Sequence, residues 1–68
     1  MPIEILVNGE PQTAPKGQTI LGLLQHLRLD PARVAVEMDR RIVKQPLWAE
    51  TVLQAGARLE IVQFVGGG

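Results

Sequence analysis

Apolar and polar residues alternate over the first eight positions of the chain. Ile3, Ile5 and Val7 lie on one side of an extended backbone, and Glu4 and Leu6 lie on the other. A period of two residues is typical of a β-strand that buries one face. An Asn-Gly pair follows at once, and both residues tolerate the positive φ angles of a two-residue type I′ turn. The pattern therefore predicts a β-hairpin at the start of the chain.

The return strand of this hairpin is predicted over residues 10–14. Pro11 lies within it and has no backbone N–H to donate to a neighbouring strand. We therefore expect this strand at an edge of the sheet.

A short amphipathic helix is predicted after a turn at residues 15–18. Thr19 is a residue type that often caps the first turn of a helix. Apolar residues then recur with the i, i+3, i+4, i+7 spacing of one helix face: Ile20, Leu23, Leu24 and Leu27. Asp30-Pro31 is expected to stop the helix, because the residue before a proline is pushed out of the helical region.

The second half of the chain returns to extended patterns. Four elements are predicted here: a strand over residues 34–38, a turn at 39–40, a short strand over 41–43 and a strongly apolar strand over 58–65. Residues 44–53 show no clean period, and Pro46 and Trp48 indicate a helical turn or a packed loop in this segment.

These elements predict one α+β domain in which a helix packs on one face of a sheet. The first and last strands have the strongest strand patterns, so we expect them to be central neighbours. The helix would then cover the face that bears Ile3, Ile5, Leu59 and Ile61. The opposite face keeps three apolar side chains that have no helix to pack against: Leu6, Val62 and Phe64.

Composition limits what else the chain contains. Its 68 residues are 46% hydrophobic, which suits one small domain. There is no cysteine for a disulfide, and His26 is the only histidine, so no metal site is predicted. Seven basic and seven acidic residues give a net charge of zero, which argues against nucleic acid or anionic lipid as a partner.

The lengths of the apolar runs and the first four residues indicate the cellular location of the protein. Uninterrupted apolar runs are far shorter than the ~20 residues that a membrane span needs. Residues 1–4 lack the basic segment of a secretory signal. We expect a soluble, cytoplasmic protein that does not bind membranes.

The usual catalytic groups are scarce. The chain has no Ser, Cys or Tyr, which excludes serine- and cysteine-based nucleophile triads. It also lacks the G-x-x-x-x-G-K-[ST] and G-x-G-x-x-G patterns that cradle phosphates. By itself, the chain is predicted not to be an enzyme and to bind no cofactor.

The last predicted strand runs directly into Gly66-Gly67-Gly68. Glycine is costly to order and has no side chain to pack, so these three residues do not add stability. The residues alone leave two interpretations open: a frayed terminus, or a tail that threads through a narrow channel in another protein. In the second case, the tail would present one reactive group, the α-carboxylate of Gly68.

The last ten residues resemble the carboxyl end of the ThiS family, the sulfur carriers of thiamine biosynthesis: Leu59-Glu60-Ile61-Val62-Gln63-Phe64-Val65-Gly66-Gly67-Gly68. The likeness covers the whole chain, including the Val7-Asn8-Gly9 hairpin, the helix over residues 19–27, Ile42-Val43, Trp48 and Gly56. Pro46 and Ala57 depart from the family pattern, and both lie outside the tail.

This resemblance implies a β-grasp, ubiquitin-like fold with a mixed sheet, comprising a domain over residues 1–65 and a flexible glycine tail over residues 66–68. It also implies that an E1-like adenylyltransferase (ThiF-type) uses ATP to activate the Gly68 carboxylate. A persulfide donor derived from a cysteine desulfurase then converts this carboxylate to a thiocarboxylate. The thiocarboxylate donates its sulfur to thiazole synthase (ThiG-type).

Two sets of residues are expected to contact these partners. Gly66 and Gly67 would thread into the partner, where any Cβ atom would clash. Leu6, Val62 and Phe64 are either half-buried by their neighbours or form a docking patch, and their position near the tail favours docking.

Three other functions remain open from the sequence. A molybdopterin synthase small subunit shares the fold and the thiocarboxylate chemistry, but it is usually longer and ends differently. A ubiquitin-like modifier would form isopeptide bonds with lysines. A non-catalytic binding module would carry the glycines incidentally.

Overall fold

The structure, a computed structural model, describes residues 1–65. This part of the chain contains five strands: β1 (Pro2–Val7), β2 (Glu10–Pro15), β3 (Val34–Met38), β4 (Arg41–Val43) and β5 (Arg58–Gln63). It also contains one α-helix, α1 (Ile20–His26), and two 3₁₀-helices, Pro31–Arg33 and Gln45–Leu47. The segment without a clean period therefore begins with a helical turn.

The five strands form one sheet in the order β2-β1-β5-β3-β4. β1 and β5 are parallel neighbours, whereas the β1–β2, β3–β5 and β3–β4 pairs are antiparallel. A parallel pair needs a crossover connection, and the long connection between these two strands contains α1. The structure thus confirms the predicted α+β class, the mixed sheet and the pairing of the first and last strands.

α1 and the loop after β4 cover one face of the sheet and form the core. The inner strands contribute alternate residues, all buried: Ile5, Val7, Val34, Val36, Leu59 and Ile61. The helix and the loop contribute Ile20, Leu23, Leu24, Trp48 and Leu53. Trp48 Nε1 donates a hydrogen bond of 2.7 Å to the Val43 carbonyl, which satisfies the indole N–H inside the core.

The predicted hairpin, edge strand and helix cap are all present. Asn8 and Gly9 adopt φ angles of 51° and 83°, as a type I′ turn requires. β2, which carries Pro11, lies at the edge of the sheet. Thr19 Oγ1 accepts a hydrogen bond of 3.1 Å from the Gly22 N–H at the start of α1.

The expected stop signal for the helix is wrong. α1 ends at His26, before Asp30-Pro31 is reached. Arg28 adopts a φ of 61°, and the N–H groups of Arg28 and Leu29 bond to carbonyls of the last helical turn. This Schellman motif ends the helix by turning the chain into the left-handed region. Asp30 instead caps the following 3₁₀-helix, where its Oδ1 accepts a 2.9 Å hydrogen bond from the Ala32 N–H.

The last strand is shorter than predicted, because β5 ends at Gln63. Gln63 is paired with Val34, the first residue of β3, and the chain before Val34 forms a 3₁₀-helix that offers no further strand. Phe64 makes one more backbone contact, in which its N–H donates to the Arg33 carbonyl at 2.7 Å. Val65, the next residue, is 91% exposed.

Candidate functional site

The predicted tail residues Gly66, Gly67 and Gly68 lie outside the described residues, but the structure describes the strand that leads to them. β5 is the middle strand of the five-stranded sheet. Phe64, just after the end of β5, is fixed by its hydrogen bond to the Arg33 carbonyl. The chain therefore reaches the tail from the centre of the sheet, at the end where β3 begins.

Two of the predicted docking residues lie together beside this point. Val62 is paired with Ala35 of β3, on the sheet face opposite α1. Phe64 follows two residues later, about 7 Å further along the strand direction, where alternation places it on the same face as Val62. Their side chains are 58% and 55% exposed. They form a partly exposed apolar surface next to the tail.

Leu6, the third predicted docking residue, lies elsewhere on the same face. It is half-buried, and the register places it beside Pro11 on one side and Arg58 on the other. Arg58 is at the start of β5, so Leu6 is about 13 Å from the level of Val62 along the strand. The structure brings Val62 and Phe64 together and leaves Leu6 apart from them.

Ile42 is an exposed apolar residue that was not singled out from the sequence. It is paired with Glu37 of β3, on the face opposite α1, and it is 78% exposed. Strand alternation could have indicated this exposure. Val43 packs against the core, so its neighbour Ile42 lies on the other face. Ile42 therefore lies on the same sheet face as Val62, with β3 between their strands.

Asn8 holds β5 near its end through its side chain. This role was not predicted from the sequence. Its Nδ2 donates a hydrogen bond of 3.1 Å to the Ile61 carbonyl, and its Oδ1 accepts one of 2.7 Å from the Ile61 N–H. The side-chain amide stands where the next peptide group of β1 would be, so the ladder continues after the backbone has turned away at Gly9. The turn signal of the Asn-Gly pair concealed this second role.

Metal ions and membranes have no evident site in the part of the chain that the structure describes. Among residues 1–65, no group of three or more His, Cys, Asp or Glu side chains could hold a metal ion. No helix in this range has the length and apolar character needed to cross a membrane. A cleft of about 600 Å³ opens beside β4, next to Leu47 and Thr51, and β3 separates β4 from β5.

Comparison with known proteins identifies a family. A sequence model of the ThiS family matches residues 5–68. Over 66 residues, the chain is 30% identical to the sulfur carrier protein ThiS of Escherichia coli, which covers 97% of this chain and 100% of that protein. Its structure is similar to the crystal structure of the thiamine biosynthesis protein (ThiS) from Geobacter metallireducens, with a TM-score of 0.82, 26% identity, and coverage of 97% and 100%.

A second group of relatives is much longer. The chain is 41% identical over 66 residues to a protein named thiazole synthase from Magnetococcus marinus, a match that covers 97% of this chain and 20% of that protein. A thiazole synthase from Paramagnetospirillum magneticum matches at 36% identity with the same coverage. The chain thus spans about a fifth of the length of these two relatives.

Proposed function

This chain belongs to the ThiS family, and we propose that it carries sulfur for thiazole formation in thiamine biosynthesis. The observation that carries this proposal is the family match over residues 5–68, which includes the triglycine segment. The E. coli relative, matched over its whole length, is named as a sulfur carrier protein. A strand fixed in the centre of the sheet and leading into glycines suits a protein that delivers its carboxyl end to other proteins.

The proposed chemistry takes place at the α-carboxylate of Gly68, and the activating enzyme supplies the ATP. A carboxylate oxygen attacks the α-phosphorus of ATP and pyrophosphate leaves, so that a poor electrophile becomes an acyl-adenylate. The terminal sulfur of a protein persulfide then attacks the acyl carbon, and AMP leaves. A thiol of the donor reduces the resulting acyl disulfide, which releases the thiocarboxylate and leaves a disulfide on the donor. The proposal requires Gly68 to be the carboxyl-terminal residue of the active form.

The proposed acceptor of the sulfur is thiazole synthase. The thiocarboxylate sulfur is a strong nucleophile at neutral pH, suited to attack on an imine formed from a sugar-derived substrate. Support comes from the two long relatives named thiazole synthase, each of which includes a region similar to this chain. Linking two proteins in one polypeptide raises their effective concentration, which is an advantage when one must deliver a group to the other.

In this proposal the chain is a cosubstrate and the partners are the enzymes. The buried core consists of aliphatic residues and one tryptophan, and its buried side chains include no charged group among the described residues. The role of the fold is then to hold β5 and to present Val62 and Phe64 beside the tail.

Intact mass spectrometry tests the proposal. The chain is incubated with its adenylyltransferase, ATP and a persulfide donor, and we expect a mass increase that corresponds to one oxygen replaced by sulfur. Fragmentation should place the sulfur on Gly68. Omitting ATP is the control and should abolish the change.

Other results would support a different function. Sulfur on an internal peptide, or none with an adenylyltransferase that forms AMP, would contradict the proposal. Lysine conjugates in cells would instead indicate a protein modifier. Sulfur transfer to a molybdopterin precursor, with none to thiazole synthase, would indicate the other sulfur-carrier pathway.

A further inference from the structure

Asn8 carries a side-chain amide that can react with the backbone of the next residue. That residue is Gly9, and glycine leaves its backbone nitrogen unshielded because it has no side chain. In such a pair, the nitrogen can attack the amide carbon of the asparagine and close a five-membered succinimide ring. Asn8 is the only asparagine among the 68 residues, so the sequence offers this reaction at one position.

The fold keeps the two reacting groups out of the geometry that ring closure needs. The Asn8 amide reaches toward β5, where it donates to the Ile61 carbonyl at 3.1 Å and accepts from the Ile61 N–H at 2.7 Å. The main chain turns the other way at Gly9, toward β2, because β1 lies between β2 and β5 in the sheet. Ring closure therefore requires the amide to leave both hydrogen bonds and the Cα–C bond of Asn8 to rotate out of the turn.

The part of the fold that must open for this is small. The register pairs two residues of β1 with β5, and the Asn8 amide extends this ladder to Ile61. Asn8 and Gly9 are exposed, and a Cβ atom at Gly9 would meet no heavy atom beyond its chain neighbours within 4 Å in the described part of the chain. The tip of the hairpin can thus move without displacing the buried core. A local opening of this kind costs less free energy than global unfolding.

We propose that Asn8 is a site of spontaneous deamidation, and that its two hydrogen bonds to Ile61 protect it while the chain is folded. When the amide leaves β5, the Gly9 nitrogen attacks Cγ of Asn8. A C–N bond forms, the Cγ–Nδ2 bond breaks, and Nδ2 leaves as ammonia with the proton of the Gly9 N–H. Water then opens the succinimide at one of its two carbonyl carbons, which leaves aspartate or isoaspartate at position 8.

The product cannot restore the contacts with β5. A carboxylate has no N–H to donate, so the Ile61 carbonyl loses its partner and faces a negatively charged oxygen instead. Isoaspartate also adds a methylene group to the main chain, which a two-residue turn cannot accommodate without changing its shape. Deamidation therefore loosens β5 at Ile61, close to the end of this strand.

Peptide mapping by mass spectrometry tests the reaction itself. The whole chain is incubated at neutral pH in water labelled with heavy oxygen, either folded or unfolded in urea, and the Asn8→Asp variant serves as the reference for the aspartate product. We expect heavy oxygen to appear at residue 8, at least about tenfold more slowly in the folded chain than in the unfolded chain. No reaction in the unfolded chain, or equal rates in the two states, would overturn the proposal.

A matched pair of core variants separates the protection by β5 from overall stability. Ile61→Val and Ile20→Val each delete one methylene group from a buried isoleucine, the first at the residue that Asn8 contacts and the second in α1. The free energies of unfolding of the two variants are made equal with urea. We expect the Ile61→Val variant to deamidate about twofold to tenfold faster. Equal rates would mean that the reaction follows global unfolding, and the protective role of the hydrogen bonds would be wrong.

Hydrogen exchange tests the effect of the product on β5. The isoaspartate form is separated by chromatography, and its Ile61 amide should exchange about tenfold faster than in the unmodified chain. The Leu23 amide, which donates to the Thr19 carbonyl in α1, is the reference and should change less. An unchanged rate at Ile61 would contradict the loosening of β5. None of these measurements uses the tail, so a chain that accepts no sulfur would leave this inference standing.

Discussion

At the scale of single residues, Asn8 joins two parts of the fold. Its φ of 51° belongs to the hairpin turn, and its amide makes two hydrogen bonds to Ile61 of β5. We expect Asn8→Gly to keep the turn, because glycine adopts this φ freely, and to lose both hydrogen bonds. The free energy of unfolding should fall by about 1–2 kcal/mol, as measured by urea denaturation.

Asn8→Asp is the matched variant for this prediction. Aspartate keeps an oxygen that can accept from the Ile61 N–H, but it has no N–H to donate to the Ile61 carbonyl. We expect it to be destabilised as well. An Asn8→Gly variant as stable as the unmodified chain would mean that the amide contacts add nothing to stability.

Arg28 offers a prediction of the opposite sign. Its φ of 61° lies in the left-handed region, where an L-residue with a Cβ atom is strained by roughly 1–2 kcal/mol. Arg28→Gly should therefore stabilise the chain by up to about 1 kcal/mol, because part of the gain is offset by the greater entropy of glycine in the unfolded state. Arg28→Ala keeps the Cβ atom and should not stabilise. Thermal melting of both variants checks this, and equal melting temperatures would contradict it.

These two residues illustrate the limits of the sequence at this scale. Thr19 and the Asn-Gly pair are residue types with strong local preferences, and their predicted roles are confirmed. Arginine has no preference for positive φ, so nothing in the pattern indicated that the chain would turn out of α1 at Arg28. The hydrogen bonds of Asn8 depend on which strand lies beside β1. Strand order is a property of the tertiary structure, so the local sequence pattern does not reveal these bonds.

At the scale of elements, the residues of β5 that form the core differ from the residues in and after β5 that are proposed for docking. Leu59 and Ile61 are buried against α1, whereas Phe64 is 55% exposed beyond the last strand pair. Phe64→Ala should therefore cost the fold little and weaken binding to the adenylyltransferase by about 2 kcal/mol, as aromatic anchors at interfaces often do. Titration calorimetry measures this binding.

The control for Phe64 is another partly exposed apolar residue away from the tail. Val52 is 44% exposed and lies in the loop before β5, so Val52→Ala makes a similar apolar deletion outside the proposed docking surface. We expect it to bind the adenylyltransferase normally. Equal affinities for the Phe64→Ala variant and the unmodified chain would remove Phe64 from the docking surface.

Strands and helices were predictable wherever apolar residues recurred without interruption, either at every second position or with helical spacing. The alternation over the first eight residues and the stripe from Ile20 to Leu24 gave the hairpin, the helix and the buried face. Register was not predictable, because alternation determines which face a residue occupies but not its partner across the strand. The separation of Leu6 from Val62, and the facing pair Glu37 and Glu60, both follow from register.

At the scale of the whole molecule, the core and the proposed reactive group occupy different parts of the chain. Every residue of the hydrophobic core lies between Ile5 and Ile61. The α+β class and the covered face were predictable, because they depend on the average pattern of many residues. The proposed tail rests on its glycines and on the resemblance to a family, since chemistry at a chain end leaves no periodic pattern.

A single alanine added after Gly68 tests this division. The melting temperature should stay the same within about 1 °C, because the addition follows the last core residue, Ile61, by several positions. Sulfur transfer should be abolished, because the carboxylate moves by roughly 3.5 Å, more than the geometry of an attack tolerates. An alanine added before Met1, which is 98% exposed, is the matched control and should leave transfer intact. Melting curves are compared with thiocarboxylate yield by mass spectrometry. A chain that accepts sulfur despite the added alanine would rule out Gly68 as the required end and favour an incidental role for the glycines.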